Sequence, residues 1–160
     1  MTGIVRLTFL FLASIAAAAP DFSGRWTADS MTDMGSGWGS TITVTQDSSR
    51  LTVEYAFFGR GDMQAPLRFV YALDGSESKN SVMMGRGVQL QSSRAVWQGD
   101  SLVVTTTQAF DDPLTGKSGT AEVTRTLTLE SPASLVVQTT RSGVLGGPPS
   151  TSRTVYRKTP

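Results

Sequence analysis

The sequence predicts an all-β protein, one antiparallel meander of about eight to ten strands closed into an up-and-down barrel. Three observations carry that expectation. From residue 21 onward no stretch shows a helical period, whereas alternation of apolar and polar residues recurs along the whole chain. The connections between the alternating runs are short and long by turns. Consecutive connections of a meander fall on opposite ends, so tight turns are expected at one end and long loops at the other. A sheet of this many strands curls and closes, which also removes its exposed edges.

The elements follow in order. Phe22 to Thr27 opens the domain, and Thr41-Ile42-Thr43-Val44-Thr45 alternates cleanly. Leu51, Val53, Tyr55 and Phe57 share one phase against Thr52, Glu54 and Ala56. Leu67 to Leu73, a weaker run from Ser78 to Met83, and Leu90 to Trp97 come next. Leu102 to Thr107, Val123 to Leu129, Leu135 to Thr140 and Arg153 to Lys158 complete the set. Tight turns are expected at Asp47-Ser48-Ser49, Asp74-Gly75-Ser76, Gln98-Gly99-Asp100 and Ser131-Pro132-Ala133. Long loops are expected at Ala28 to Gly39, Phe58 to Pro66, Met84 to Gly87, Phe110 to Gly119 and Gly143 to Ser150.

Composition sets the limits on chemistry. The 160 residues suffice for one domain, and they contain no His and no Cys. This excludes His-based triads, thiol catalysis, thiolate or imidazole metal sites and disulfides. Residues 1–19 read as a secretory signal: Arg6, an apolar run from Leu7 to Ile15, then Ala16 to Ala19. Cleavage is expected after Ala18 or Ala19, and Ala18 is preferred because the other cut puts Pro20 first. The chain is therefore expected to be exported, periplasmic or secreted, with residues 20–160 forming a single barrel and no transmembrane segment once the signal is removed. Loss of Arg6 leaves 14 − 1 = 13 basic against 13 acidic residues. A neutral surface without a long basic run argues against nucleic acid as a partner.

At Phe22-Ser23-Gly24-Arg25-Trp26-Thr27 the first strand carries Gly-x-Trp and leads into a long glycine-containing loop. This resembles the opening of the calycin barrels, the group of lipocalins, fatty-acid-binding proteins and avidins, and more closely exported bacterial lipocalin-like proteins. The resemblance implies that Trp26 plugs the closed end under a basic residue of the last strand, Arg157 or alternatively Arg153. The other lipocalin motifs and the lipocalin disulfide are absent, so no ligand class is implied.

The candidate site residues lie at the long-loop end. Arg125 falls in phase with Val123, Leu127 and Leu129, which places a guanidinium inside the barrel or at its rim. Arg141 shares the phase of Leu135 and Val137. Together they suit a carboxylate or phosphate head, while Tyr55, Phe57, Phe69 and Tyr71 suit an apolar body. Trp38 is read as either a lid or an anchor for its loop. Met31, Met34, Met63, Met83 and Met84 gather on the same side, better explained as packing groups than as a copper(I) site. Arg60-Gly61-Asp62 and Asp111-Asp112-Pro113 are read as turns. The strand acids Glu54 and Glu122 fall in the outward phase, so no catalytic pair faces a cleft, and neither a cofactor nor a metal is expected. The expected function is non-enzymatic binding of a small, partly apolar molecule, with an anionic head as one form. The alternative is an envelope interaction or assembly module with a filled core and an apolar patch around Trp38, Met31 and Met34.

Overall fold

The computed structural model describes residues 18–30, 38–55, 67–84, 87–111, 115–143 and 147–160. Ten strands form among them: β1 (Gly24–Ala28), β2 (Thr41–Gln46), β3 (Arg50–Tyr55), β4 (Leu67–Ala72), β5 (Glu77–Met84), β6 (Gly87–Gln98), β7 (Ser101–Asp111), β8 (Ser118–Ser131), β9 (Ser134–Arg141) and β10 (Ser150–Thr159). All pairings are antiparallel, in one sheet of order β4-β3-β2-β1-β10-β9-β8-β7-β6-β5. The sheet rolls until its two ends, β4 and β5, lie side by side as a nearly closed barrel.

The two end strands have no ladder between them, and side chains bridge the seam. The Val70 N–H donates to Asn80 Oδ1 at 2.8 Å, and Asn80 Nδ2 donates back to the Val70 carbonyl at 3.0 Å. The Ala72 N–H donates to Ser78 Oγ at 2.8 Å. A buried amide thus does for β4 what a neighbouring backbone would do, because unpaired main-chain groups are costly away from water.

Alternation turns one face of each strand inward, so Ile42, Val44, Val53, Leu102, Val104, Leu127, Leu135 and Val137 are buried together. The closed end is built on aromatics. Phe22 stacks on Trp97 with ring centroids 5.7 Å apart, and the Trp26 indole donates to the Phe22 carbonyl at 2.9 Å. Lys158 Nζ lies 5.3 Å from the Trp26 ring centroid, so the last-strand cation over Trp26 is Lys158, not Arg157 or Arg153. Those two arginines face solvent and pair with Asp29 at 2.8 Å and Glu130 at 2.6 Å. The chain reaches Trp26 from a Lys because Gly24 lacks a Cβ: one built there would lie 2.6 Å from Lys158 Cε.

Two of the expected long loops are much shorter. β5 and β6 pair as far as Met84 with Gly87, leaving residues 85–86 as the connection, and β7 and β8 pair as far as Asp111 with Ser118. The strict alternation of loop length therefore fails at β5–β6. Ladder hydrogen bonds run on through Thr, Gln, Ser and Gly after the apolar pattern has stopped.

Candidate functional site

Arg125 is the centre of the candidate site. It sits on β8 between Val104 of β7 and Thr139 of β9, and at 6% exposure its side chain is inside the barrel. Its guanidinium carbon lies over the Trp38 ring, 5.1 Å from the centroid. Burial pushes its pKa down and the Arg141 charge pushes the same way, while Tyr71, Tyr55 and Tyr156 oppose the shift. The same cation acts on the phenols. Burial pushes Tyr71 up to about 12, partly offset by Arg125 and by a hydrogen bond with Trp38. Tyr55 is raised by burial as well, again with Arg125 opposing.

Trp38 packs inside the barrel, 1% exposed, and tilts against Tyr71 at a centroid distance of 6.4 Å. The next residue fixes its position: Gly39 has φ +76, a conformation that favours glycine, and its carbonyl accepts from the Tyr156 hydroxyl at 2.8 Å. The Ala28 N–H donates to the Ser40 carbonyl at 2.8 Å and ties the end of this segment to β1. An exposed apolar patch at Trp38 is therefore ruled out.

The aromatic wall is built by β3 and β4. Tyr55 and Phe69 stack at 5.9 Å with rings 2° apart, and Phe69 and Tyr71 follow at 6.4 Å and 10°. Cross-strand pairing of Val53 with Phe69 and Leu51 with Tyr71 sets this row. Arg141 pairs with Val123 and Ser150 at the rim and is exposed, yet close enough to Arg125 for the two charges to repel. Phe57, Met31, Met34, Met63 and Arg60-Gly61-Asp62 lie outside the described residues, as do Asp112 and Pro113.

The barrel also buries a set of inward polar side chains that the sequence does not single out. Gln91 and Ser93 of β6, Thr106 of β7 and Thr139 of β9 are all buried. Ser93 and Thr106 hydroxyls are bonded to each other at 2.8 Å. Thr139 Oγ1 and Gln89 Oε1 are buried with no hydrogen-bond partner among the described residues. The signal was present in the phase: Gln89, Gln91 and Ser93 alternate in step with Ala95 and Trp97. Hydroxyl and amide residues also suit a solvated strand face, so residue type masks this phase in the sequence.

The acids stay outside. Glu54 pairs with Arg68 at 3.4 Å on the outer face and Glu122 is exposed. Among the described residues no cluster of three metal-ligating side chains occurs, and no helix is long and apolar enough to cross a membrane.

The architecture is a nearly closed, all-antiparallel ten-stranded β-barrel among the described residues, and two solved structures share its fold. A point mutant of the fluorescent protein UnaG superposes with a TM-score of 0.53 at 20% identity, covering 87% of this chain and 96% of its own. Secretory abundant heat soluble protein 4 from Ramazzottius varieornatus superposes with a TM-score of 0.51 at 15% identity, covering 86% of this chain and 94% of its own. At such identities the likeness is one of fold. No protein-family profile matches the chain, and no curated protein matches it in sequence.

Proposed function

We propose that this chain is an exported binding protein that holds a small, partly apolar anion inside its barrel, against Arg125. One observation carries the reading. The buried Arg125 guanidinium lies over the Trp38 ring, with Tyr71, Tyr55 and Tyr156 near enough to favour its charge and Arg141 near enough to oppose it. An anion placed between the two arginines relieves that repulsion and gains charge-assisted hydrogen bonds in a poorly screened site. The aromatic row supplies the surface for the apolar body. Export rests on residues 1–19, whose composition supports a cleaved signal.

The test is recovery of a bound compound. Mature protein incubated with a cell lipid extract, then repurified, is expected to carry an organic anion detectable by mass spectrometry. Arg125→Met keeps the length and apolar stem of the side chain and removes the charge. It is expected to lower the recovered compound at least tenfold while the thermal midpoint is kept. Equal recovery on Arg125→Met, or no compound on either protein, overturns the reading. Sequencing the N-terminus of protein taken from the cell envelope tests export, with Ala19 expected as the first residue.

A further inference from the structure

We infer that Trp38 is a built-in occupant of the anion site, an autoinhibitory ring that leaves its place over Arg125 in exchange for a compact anion of about its own bulk. The inference rests on the anion-binding reading above and adds how the site opens and how large its ligand is.

Arg125 is 6% exposed, so a solute reaches its guanidinium only after a neighbour moves. The neighbours differ in what holds them. Val104 and Thr139 flank Arg125 on the ladders of β7 and β9, Tyr71 is paired with Leu51, and Tyr156 with Leu135. Tyr55 is paired on both sides, with Ile42 and with Leu67. Withdrawing any of these segments breaks sheet hydrogen bonds. Trp38 precedes β2, which starts at Thr41, and belongs to no strand. At this end of the barrel it is, among the described residues, the one large fully buried side chain that leaves without breaking a ladder. The chain just after it supplies a fixed pivot. Gly39, at φ +76, has its carbonyl held by the Tyr156 hydroxyl, and the Ser40 carbonyl is held by the Ala28 N–H.

What holds the ring in place is also what an anion replaces. The indole offers Arg125 its face at 5.1 Å, and it contacts and hydrogen-bonds Tyr71. A carboxylate in that place offers a full opposite charge and charge-assisted hydrogen bonds, stronger partners for a guanidinium than a ring quadrupole. It also offsets the Arg141 charge, which an uncharged ring does not. The room that Trp38 vacates sets the size of the ligand. An anion as bulky as one indole is accommodated with no further rearrangement, and an anion on a long chain is not.

Benzoate has as many non-hydrogen atoms as an indole and serves as the probe, with affinity measured by calorimetry on the mature protein. A site that must first expel Trp38 binds more weakly by the fraction of time it stands open, and removing the ring removes that cost. Trp38→Ala is therefore expected to bind benzoate at least tenfold tighter than the parent, and Arg125→Met added to it to cancel the gain. A second measurement keeps the ring in place. With the three tryptophans replaced by 5-fluorotryptophan, the fluorine resonance missing from Trp38→Phe belongs to Trp38. Saturating benzoate is expected to give that resonance the H2O/D2O isotope shift of an exposed indole, while Trp26 and Trp97 at the closed end stay unchanged. Benzoate bound with the Trp38 resonance unmoved, or bound no more tightly by Trp38→Ala, overturns the inference and leaves anion binding standing. Benzoate binding to neither protein also overturns it, and recovery of an anion from the lipid extract then decides the anion-binding reading on its own.

Discussion

At the scale of single residues, the buried phenol of Tyr71 ties stability to alkaline pH. Its pKa is near 12 in the folded chain and near 10 once exposed, chiefly because burial disfavours the phenolate. The stabilisation is fully present below pH 10 and is lost as pH rises through the folded value, amounting to about 3 kcal/mol across that window. Tyr71→Phe is expected to flatten the fall in thermal midpoint between pH 10 and 12, and the tyrosinate absorbance of the folded protein should lose its highest-pH component. An unchanged alkaline profile would show that another group drives the transition. Gly24 is the second residue with a sharp expectation. It combines φ +147 with the approach of Lys158 Cε. Gly24→Ala is expected to cost about 1–3 kcal/mol through the backbone alone. Lys158→Ala in addition should recover the clash but not the strain, leaving a deficit in chemical denaturation. Full recovery by the second substitution would place the whole cost in the clash.

At the scale of elements, the seam between β4 and β5 depends on one amide. Asn80 both donates to and accepts from Val70. Asn80→Leu leaves a buried N–H and carbonyl unpaired, an expected loss of about 2–4 kcal/mol, with faster hydrogen exchange at Val70 and Ala72 than at Val44 or Val53. Uniform acceleration over all four positions would argue against a local seam. Nothing in the sequence announced this: Ser78 to Met83 was legible only as a weak run, because Asn80 and Lys79 interrupt the apolar alternation that marks a strand. The strong runs were legible for the opposite reason. Ile42-Val44 and Val53-Tyr55 bury one face and solvate the other, and a slip of one residue would invert both. The same logic placed Arg125 inside, since its phase was fixed by Val123 and Leu127 on either side. Phase is masked at Ser93 and Thr106, whose residue types suit a solvated face equally well, and it does not reach Lys158, where the geometry over Trp26 depends on the absent Cβ of Gly24. Trp38 was not placeable from sequence. Its position comes from Gly39 and the reach of Tyr156, two residues 117 apart in the chain.

At the scale of the whole molecule, the described chain passes from exposed to fully buried within a few residues at its start. Ala18 and Ala19 are exposed, whereas Phe22 is fully buried and closes the bottom of the barrel against Trp97. Between them Gln46 holds the chain with its side-chain amide, donating to the Pro20 carbonyl at 2.8 Å and accepting from the Phe22 N–H at 3.0 Å. The Gln46 N–H donates in turn to Ser23 Oγ at 3.0 Å. A chain that starts at Ala19 therefore keeps every described contact of the closed end, and one that starts at Gly24 loses the Phe22 ring, its carbonyl for Trp26 and both amide bonds. Loss of a buried Phe ring costs about 3–5 kcal/mol, a large share of the stability of a domain this size. The Ala19 chain is expected to match the full-length protein in thermal midpoint, and the Gly24 chain to melt well below it, by about ten degrees or more. A Gly24 chain as stable as the Ala19 chain would show that residues 20–23 add nothing to the closed end, and that Trp26 and Lys158 close the barrel without them.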